Sequence, residues 1–337
     1  MGFDALCGNA PVKKALQKML ETGHISNTYV FEGQKGVGKR LCAQIFAKAL
    51  VCETPAQHAP CGSCSACLKA ISGNHPDIVY VRQAEEEKSI GVDEVRQQIL
   101  DEIYLKPFLA KRRIFIIGEG DILTDGAQNA LLKVLEEPPA YVVFILCVTS
   151  RDKLLETVIS RSCVMRFSPL SQEQVSQYLK TKQYDEARIE LAAGVCQGSI
   201  GRALSFLSDK KGEQLFEDSI KHLMALNQEP AAVQSAATFL REERAYIDEI
   251  VTFMMTFLRD CIFLKSGLAA GVLYQSKLSQ IRAFAENISK KALLSAYDRL
   301  VQLQLRFKEN LNYSASVFET VMRIWEDFHD KGSGHSI

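Results

Sequence analysis

The hydrophobic pattern has two periods in the first half of the chain and only one after it. Val12, Leu16 and Leu20 are spaced as one face of a helix, and Thr28–Glu32 is a short β-prone run leading into a glycine-rich loop. Lys39–Leu50 returns to helical spacing through Leu41, Ile45 and Ala49, and Ile78–Val81 is again strand-like after Asn74-His75-Pro76-Asp77. Ile90–Ile103 is amphipathic and reads as a helix. Arg113–Ile117 reads as a strand behind basic residues, and Thr124 as the N-cap of a helix that runs to Leu135 and stops before Pro138-Pro139. Tyr141–Val148 is strongly apolar, and Cys163–Phe167 reads as an edge strand. Strands that alternate with helices and are apolar on both faces predict a parallel sheet covered on both sides. From Ser171 only helical periodicity is left, over roughly 171–208 and 213–330, and residues 331–337 read as a frayed polar tail.

Composition narrows this little. The chain has 337 residues, enough for two or three domains, and is 47% hydrophobic and 24% charged, as soluble globular proteins are. The longest apolar run, Val142–Val148, is far too short to span a bilayer, so no membrane association is expected. Met1–Leu6 has neither a basic nor an apolar leader segment, so a cytoplasmic location is expected, with the ten cysteines reduced. Net charge is zero, so contact with nucleic acid has to come from a local patch or an assembly.

Two constellations carry chemistry. The first is Gly33-Gln34-Lys35-Gly36-Val37-Gly38-Lys39-Arg40, placed between a strand and a helix as a phosphate-binding loop requires. Gly33, Gly36, Gly38 and Lys39 occupy the positions that cradle phosphates. A working site also needs a Ser/Thr hydroxyl and an acidic strand end to hold Mg²⁺. Here the hydroxyl position is Arg40, and the strand Arg113–Ile117 runs into Gly118-Glu119. A guanidinium held about 4 Å from the metal would repel it by about 4 kcal/mol per unit charge, although the long stem of Arg40 can swing aside. The missing ligands cannot be recovered that way. The loop therefore reads as retained architecture, with ATP binding weak or absent; the alternative is an ATPase using Glu119 or Asp121 in an unusual metal shell.

The second constellation is Cys52, Cys61, Cys64 and Cys67, four soft ligands within 16 residues. Zinc favours such a tetrahedral thiolate set, and Pro60-Cys61-Gly62-Ser63-Cys64 is a turn able to present two sulfurs to one ion. An iron–sulfur cluster fits less well, because Leu68-Lys69-Ala70 follow where a fourth cysteine with proline would stand. Four unmetallated thiols remain the plain alternative. A closed thiolate shell leaves no open position, so the zinc is read as structural. Cysteines 7, 42, 147, 163, 196 and 261 lie in apolar contexts and read as core.

With these residues in view, the chain resembles the clamp-loader branch of the AAA+ proteins over roughly residues 5–205. The glycine loop, the cysteine insert, Asn74-His75-Pro76-Asp77, the string Asn129-Ala130-Leu131-Leu132-Lys133-Val134-Leu135-Glu136-Glu137-Pro138-Pro139, and Ser160-Arg161-Ser162 occur in that family's order. The last triplet departs from the usual Ser-Arg-Cys but keeps the arginine. The resemblance implies a RecA-like AAA+ α/β domain at 1–166 with a zinc insert at 52–67, a helical lid at 167–210 and a helical collar at 211–330 that holds subunits together. It implies a replication machine at the nucleoid-associated replisome, with gamma/tau and delta subunits as partners, and with the sliding clamp and primer-template DNA met through the complex.

That family has ATP-hydrolysing gamma/tau subunits, which keep the hydroxyl and the Asp-Glu pair, and a non-hydrolysing delta-prime kind that loses them. Arg40 and Gly118 depart as the second kind does. The competing expectations are a gamma/tau-type ATPase and a stand-alone DNA-binding adaptor. By resemblance Thr149 falls at the first nucleotide sensor. Gly198-Ser199-Ile200-Gly201-Arg202 falls in the second, where the register leaves Arg202 out of the ligand set. Arg161, placed next to the sheet's C-terminal face, is implied to reach a neighbouring subunit's ATP as an arginine finger. The remaining signals have plain readings: His58 as a bystander in the cysteine loop, His75 capping a turn, Glu136-Glu137 as solvated helix-end residues, Glu85–Lys88 as a solvated loop, and Trp325 as bundle packing.

Overall fold

A computed structural model describes residues 2–55, 59–84, 87–208, 210–308 and 313–330. His58, Glu85, Glu86 and the tail at 331–337 lie outside the described residues. The chain forms two compact units, residues 1–178 with 198–202, and 179–197 with 203–337.

The first unit is an α/β layer structure. Its strands β1 (Thr28–Glu32), β2 (Ile78–Val81), β3 (Arg113–Ile117), β4 (Val142–Val148) and β5 (Cys163–Arg166) form one parallel sheet in the order β2-β3-β4-β1-β5. The register pairs Thr28 with Phe144 and Tyr29 with Cys163 across β1, and Arg113 with Val142 across β3. Each central strand is buried on both sides, and the period of two divides its residues between two cores. Tyr29, Phe31, Ile114, Ile116, Val143, Ile145 and Cys147 face one core, which also takes residues of α1 (Ala10–Thr22), α2 (Lys39–Val51) and α3 (Ser65–Ile71). Val30, Phe115, Ile117, Val142, Phe144, Leu146 and Val148 face the other, with α4 (Val92–Val95), α5 (Asp125–Glu136) and α6 (Glu156–Ile159). Thr124 caps α5 as its sequence position predicts, its Oγ1 accepting from the Ala127 N–H at 3.2 Å.

One predicted element is broken. Ile90–Ile103 is not a single helix: α4 passes into a π-helical turn at Arg96–Leu100 and then into turns. A buried carboxylate explains the segment that follows. Asp77 accepts from the N–H groups of Phe108 at 2.7 Å and of Leu109 and Ala110 at 2.8 Å, and so draws the chain back towards the sheet before β3 begins. His75 Nδ1 in turn accepts from the Asp77 N–H at 3.1 Å, which makes it the turn cap expected.

α7 (Gln172–Lys180) and α9 (Ile200–Ser208) each run from one unit into the other. The second unit is helical: α8 (Glu186–Val195), most of α9, α10 (Lys210–Ala225), α11 (Ala231–Glu242), α12 (Ile247–Lys265), α13 (Leu278–Asn287), α14 (Lys290–Lys308) and α15 (Tyr313–His329). α12 packs on α10, α13 and α14, and α15 packs on α11 and α14. Phe206, Phe216, Phe253 and Tyr274 meet edge to face in its core. Among the described residues no helix is long and apolar enough to cross a membrane.

Candidate functional site

The glycine loop leaves β1 at the C-terminal end of the sheet, where the Gly33 N–H donates to the Val148 carbonyl at 3.1 Å, and enters α2 at Lys39. Gly36 (φ 79°) and Gly38 (φ 98°) are left-handed, a conformation side chains resist, and the space around them is closed. A Cβ on Gly36 would strike the Ser199 hydroxyl, and one on Gly38 would lie 2.5 Å from Leu6 Cδ1. Lys39 is buried and folded back on the loop, donating to the carbonyl oxygens of Gly33 and Gln34 (2.9 Å to the latter). Burial pulls its ammonium below the usual lysine value. Gly36, Gly38, Lys39, Arg40, Gly118, Glu119, Asp121 and Thr149 line one cleft of ≈ 440 Å³.

The groups at the metal position are engaged with one another. Arg40 Nε donates to the Gly118 carbonyl at 2.8 Å, and Nη2 is paired with Glu119 Oε1. The arginine has indeed swung, but across the cleft rather than out of it. A Cβ at Gly118 would sit 3.2 Å from Arg40 Nε, so the guanidinium fills the space a strand-end carboxylate would use. Asp121, the other acid near the cleft, accepts from the Thr149 N–H at 2.8 Å and from Thr149 Oγ1 at 2.9 Å. Thr149 is thus placed at the end of β4 as its sequence position predicts, with its hydroxyl committed to Asp121.

Ser199 and Gly201 lie in the string placed by resemblance at the second sensor, but their contact with the glycine loop was not legible in the sequence. Ser199 is fully buried and donates through Oγ to the Lys35 carbonyl at 2.8 Å, while the Gly201 N–H donates to the Gly36 carbonyl at 3.0 Å. The start of α9 is therefore built onto the outer side of the loop, and the Arg202 N–H is spent on Ser199 Oγ at 3.1 Å. The Gly-Ser-x-Gly pattern was the available signal, but small residues at a helix start also fit an ordinary cap.

Arg161 needs a correction. It precedes β5, and β5 runs parallel to β1 with Cys163 opposite Tyr29. A residue that comes before a parallel strand lies at the sheet's N-terminal rim, not at its C-terminal face. The five residues of β1, about 16 Å of strand, separate that rim from the loop. Arg161 is one-third exposed, and its guanidinium donates to the Thr157 carbonyl, Ser160 Oγ and Glu136 Oε1. Glu136 is therefore paired rather than merely solvated.

The four cysteines meet at the start of α3, with their sulfurs all within 4.8 Å of one another. The Cys52–Cys64 and Cys61–Cys67 sulfur pairs are 3.9 Å apart. A tetrahedral shell with bonds of about 2.3 Å sets its sulfurs about 3.8 Å apart, so the set fits one zinc-sized ion. The backbone follows the same plan, for the N–H groups of Cys61, Cys64 and Cys67 donate to the sulfurs of Cys52, Cys61 and Cys64, each at 3.4 Å. Hydrogen bonds from Thr54 and neighbouring N–H groups bring the Cys61 thiol down to about 5, whereas burial pushes Cys67 up to about 12. Of the other cysteines, 42, 147, 196 and 261 are buried, and 7 and 163 are partly so.

A parallel sheet with this loop at its C-terminal end defines a phosphate-loop α/β domain, and a helical region follows it. The model of the family described as DNA polymerase III, delta subunit, matches residues 8–171, and that of its C-terminal part matches residues 213–318. The chain belongs to the DNA polymerase III clamp-loader subunit family. Bacillus subtilis DNA polymerase III subunit tau is 30% identical over 98% of this chain, which spans only 62% of that relative's length. Subunit delta' of the same organism is 25% identical over 94% of this chain and 95% of its own. Among solved structures, a DNA polymerase III gamma subunit-related protein from Thermotoga maritima matches with a TM-score of 0.44 and 18% identity, over 93% of this chain and 98% of that one. Identity alone is alike for the tau and delta' relatives and does not separate the two kinds of subunit.

Proposed function

We propose that this chain is a delta-prime-type, non-hydrolysing subunit of a DNA polymerase III clamp loader. The observation that carries the reading is Arg40 lying across the cleft onto the Gly118 carbonyl and Glu119. Phosphoryl transfer needs a divalent cation between the phosphates and protein oxygen ligands. Here the hydroxyl is absent, the strand-end carboxylate is absent, Glu119 is neutralised by a guanidinium, and Asp121 is committed to Thr149. Gly33, Gly36, Gly38, Lys39 and Thr149 keep the outline of a nucleotide site without its metal shell.

In this reading the chain assembles with gamma/tau and delta subunits through a collar at about 211–330. It meets the sliding clamp and primer-template DNA only within the complex, and its lid is about 167–210. Cys52, Cys61, Cys64 and Cys67 hold a structural zinc. Arg161 acts in trans: the N-terminal rim keeps it from its own loop and leaves it for a neighbouring subunit's triphosphate, where a fixed cation offsets charge developing in the transition state.

The 30% identity with a tau subunit favours a second reading, a gamma/tau-type ATPase. Titration calorimetry of the isolated chain with Mg²⁺·ATP, together with a hydrolysis assay, separates the two. The delta-prime reading expects no turnover and no magnesium-dependent binding, and turnover of about one per second overturns it. In the reconstituted complex, Arg161→Ala is expected to lower ATP hydrolysis by at least tenfold while assembly is unchanged.

A further inference from the structure

Three groups of its own subunit hold the Arg161 guanidinium, and they are not equivalent. Thr157 and Ser160 belong to the same turn as the arginine, and Nη1 donates to them at 2.9 and 3.3 Å. Glu136 stands 25 residues earlier, at the C-terminal end of α5, and takes Nη2 through Oε1 at 2.7 Å. It ties the arginine to a helix whose other face is set in the sheet's core by Leu131, Val134 and Leu135. The pair is open to water, with Glu136 half exposed, and a pair in that setting adds little to folding stability. Its consequence is geometric. A long side chain at a surface turn samples many rotamers, and a cation that has to meet a phosphate loses rate when it is disordered or misplaced. Glu136 engages one edge of the fork and leaves Nε with no partner among the described residues.

We propose that Glu136 is a positioning residue for Arg161: its carboxylate orders the guanidinium on the N-terminal rim before a neighbouring subunit's nucleoside triphosphate arrives. The proposal rests on the reading of Arg161 as acting in trans. It also gives the Leu-Glu-Glu-Pro-Pro segment a task, because Pro138-Pro139 end α5 just beyond the carboxylate that has to reach the arginine.

The test uses the reconstituted complex, with assembly and thermal melting of each variant checked first. Glu136→Ala is expected to lower kcat for ATP hydrolysis about tenfold with KM for ATP unchanged, because the nucleotide is held by another subunit. Glu136→Gln keeps an acceptor oxygen of the same reach and is expected to retain kcat within about threefold of wild type. In an Arg161→Ala background, Glu136→Ala is expected to have no further effect. If Arg161→Ala lowers kcat and Glu136→Ala does not, or raises it, the positioning role is overturned while the trans role stands. If Arg161→Ala itself leaves kcat unchanged, both fall. Should Glu136→Ala fail to assemble, Glu136→Asp decides: it keeps the charge, shortens the reach by one methylene and is expected to lose rate where Gln does not. Wild-type rates for both Asp and Gln overturn the proposal.

Discussion

Arg40 and Gly118 are one feature distributed over two positions. A Cβ at position 118 would meet Arg40 Nε at 3.2 Å, and the same nitrogen donates to the Gly118 carbonyl at 2.8 Å, so the bare strand end and the guanidinium fit one another. Restoring one ligand alone is therefore expected to fail. Gly118→Asp would set a carboxylate against Arg40 and form an ion pair instead of a metal site, and Arg40→Thr would release Glu119 without supplying the strand-end acid. The double variant Arg40→Thr/Gly118→Asp is expected to gain magnesium-dependent ATP binding, read by calorimetry with and without Mg²⁺. Equal heats for the wild type and the double variant would show that the cleft is closed by something other than this pair.

Single elements are held by buried polar anchors that hydrophobic patterning does not reveal. Asp77 is fully buried and takes three backbone N–H groups from the segment that leads into β3, where Phe108 and Leu109 stand exposed. Asp77→Ala leaves those donors without their acceptor and is expected to cost on the order of 3 kcal/mol, seen as a lower midpoint in denaturant, with earlier proteolysis near residue 108. The cysteine turn is a second such anchor. Purified protein is expected to carry about one zinc per chain by elemental analysis. Cys64→Ser, which removes a sulfur but keeps an N-cap oxygen for α3, is expected to abolish that zinc while the sheet keeps its near-native circular dichroism. Iron in place of zinc would change the assignment.

At the scale of the whole molecule, charge bears on the choice between a subunit and a free-standing DNA adaptor. Lysine and arginine together balance aspartate and glutamate at 40 each, so the field that draws proteins to phosphate backbones has no net source here. The isolated chain is expected to show no saturable binding to primer-template DNA at about 100 mM salt, measured by fluorescence anisotropy. Tight, salt-sensitive binding would favour the adaptor. Zero net charge does suit a protein that meets DNA only within an assembly.

Much of this was legible along the chain because it depends on neighbours in sequence. β1, β2 and β3 run between the residues their patterning predicts, the cap of α5 sits at Thr124, and the glycine loop, Lys39 and the four cysteines stand out by spacing, whereas Thr149 was pointed to by the resemblance alone. Other features needed the fold, because they pair residues far apart in sequence. Arg40 finds Glu119 only when β3 lies beside the start of α2. Ser199 reaches Lys35 across 164 positions, and Asp77 gathers N–H groups more than thirty residues on. Arg161 shows the division most clearly. Its type and flanking residues pointed to a role, but which end of the sheet it occupies follows from the direction of β5 relative to β1. Strand direction is decided by how the connecting helices pack on the sheet, and the local pattern of apolar residues reads the same either way.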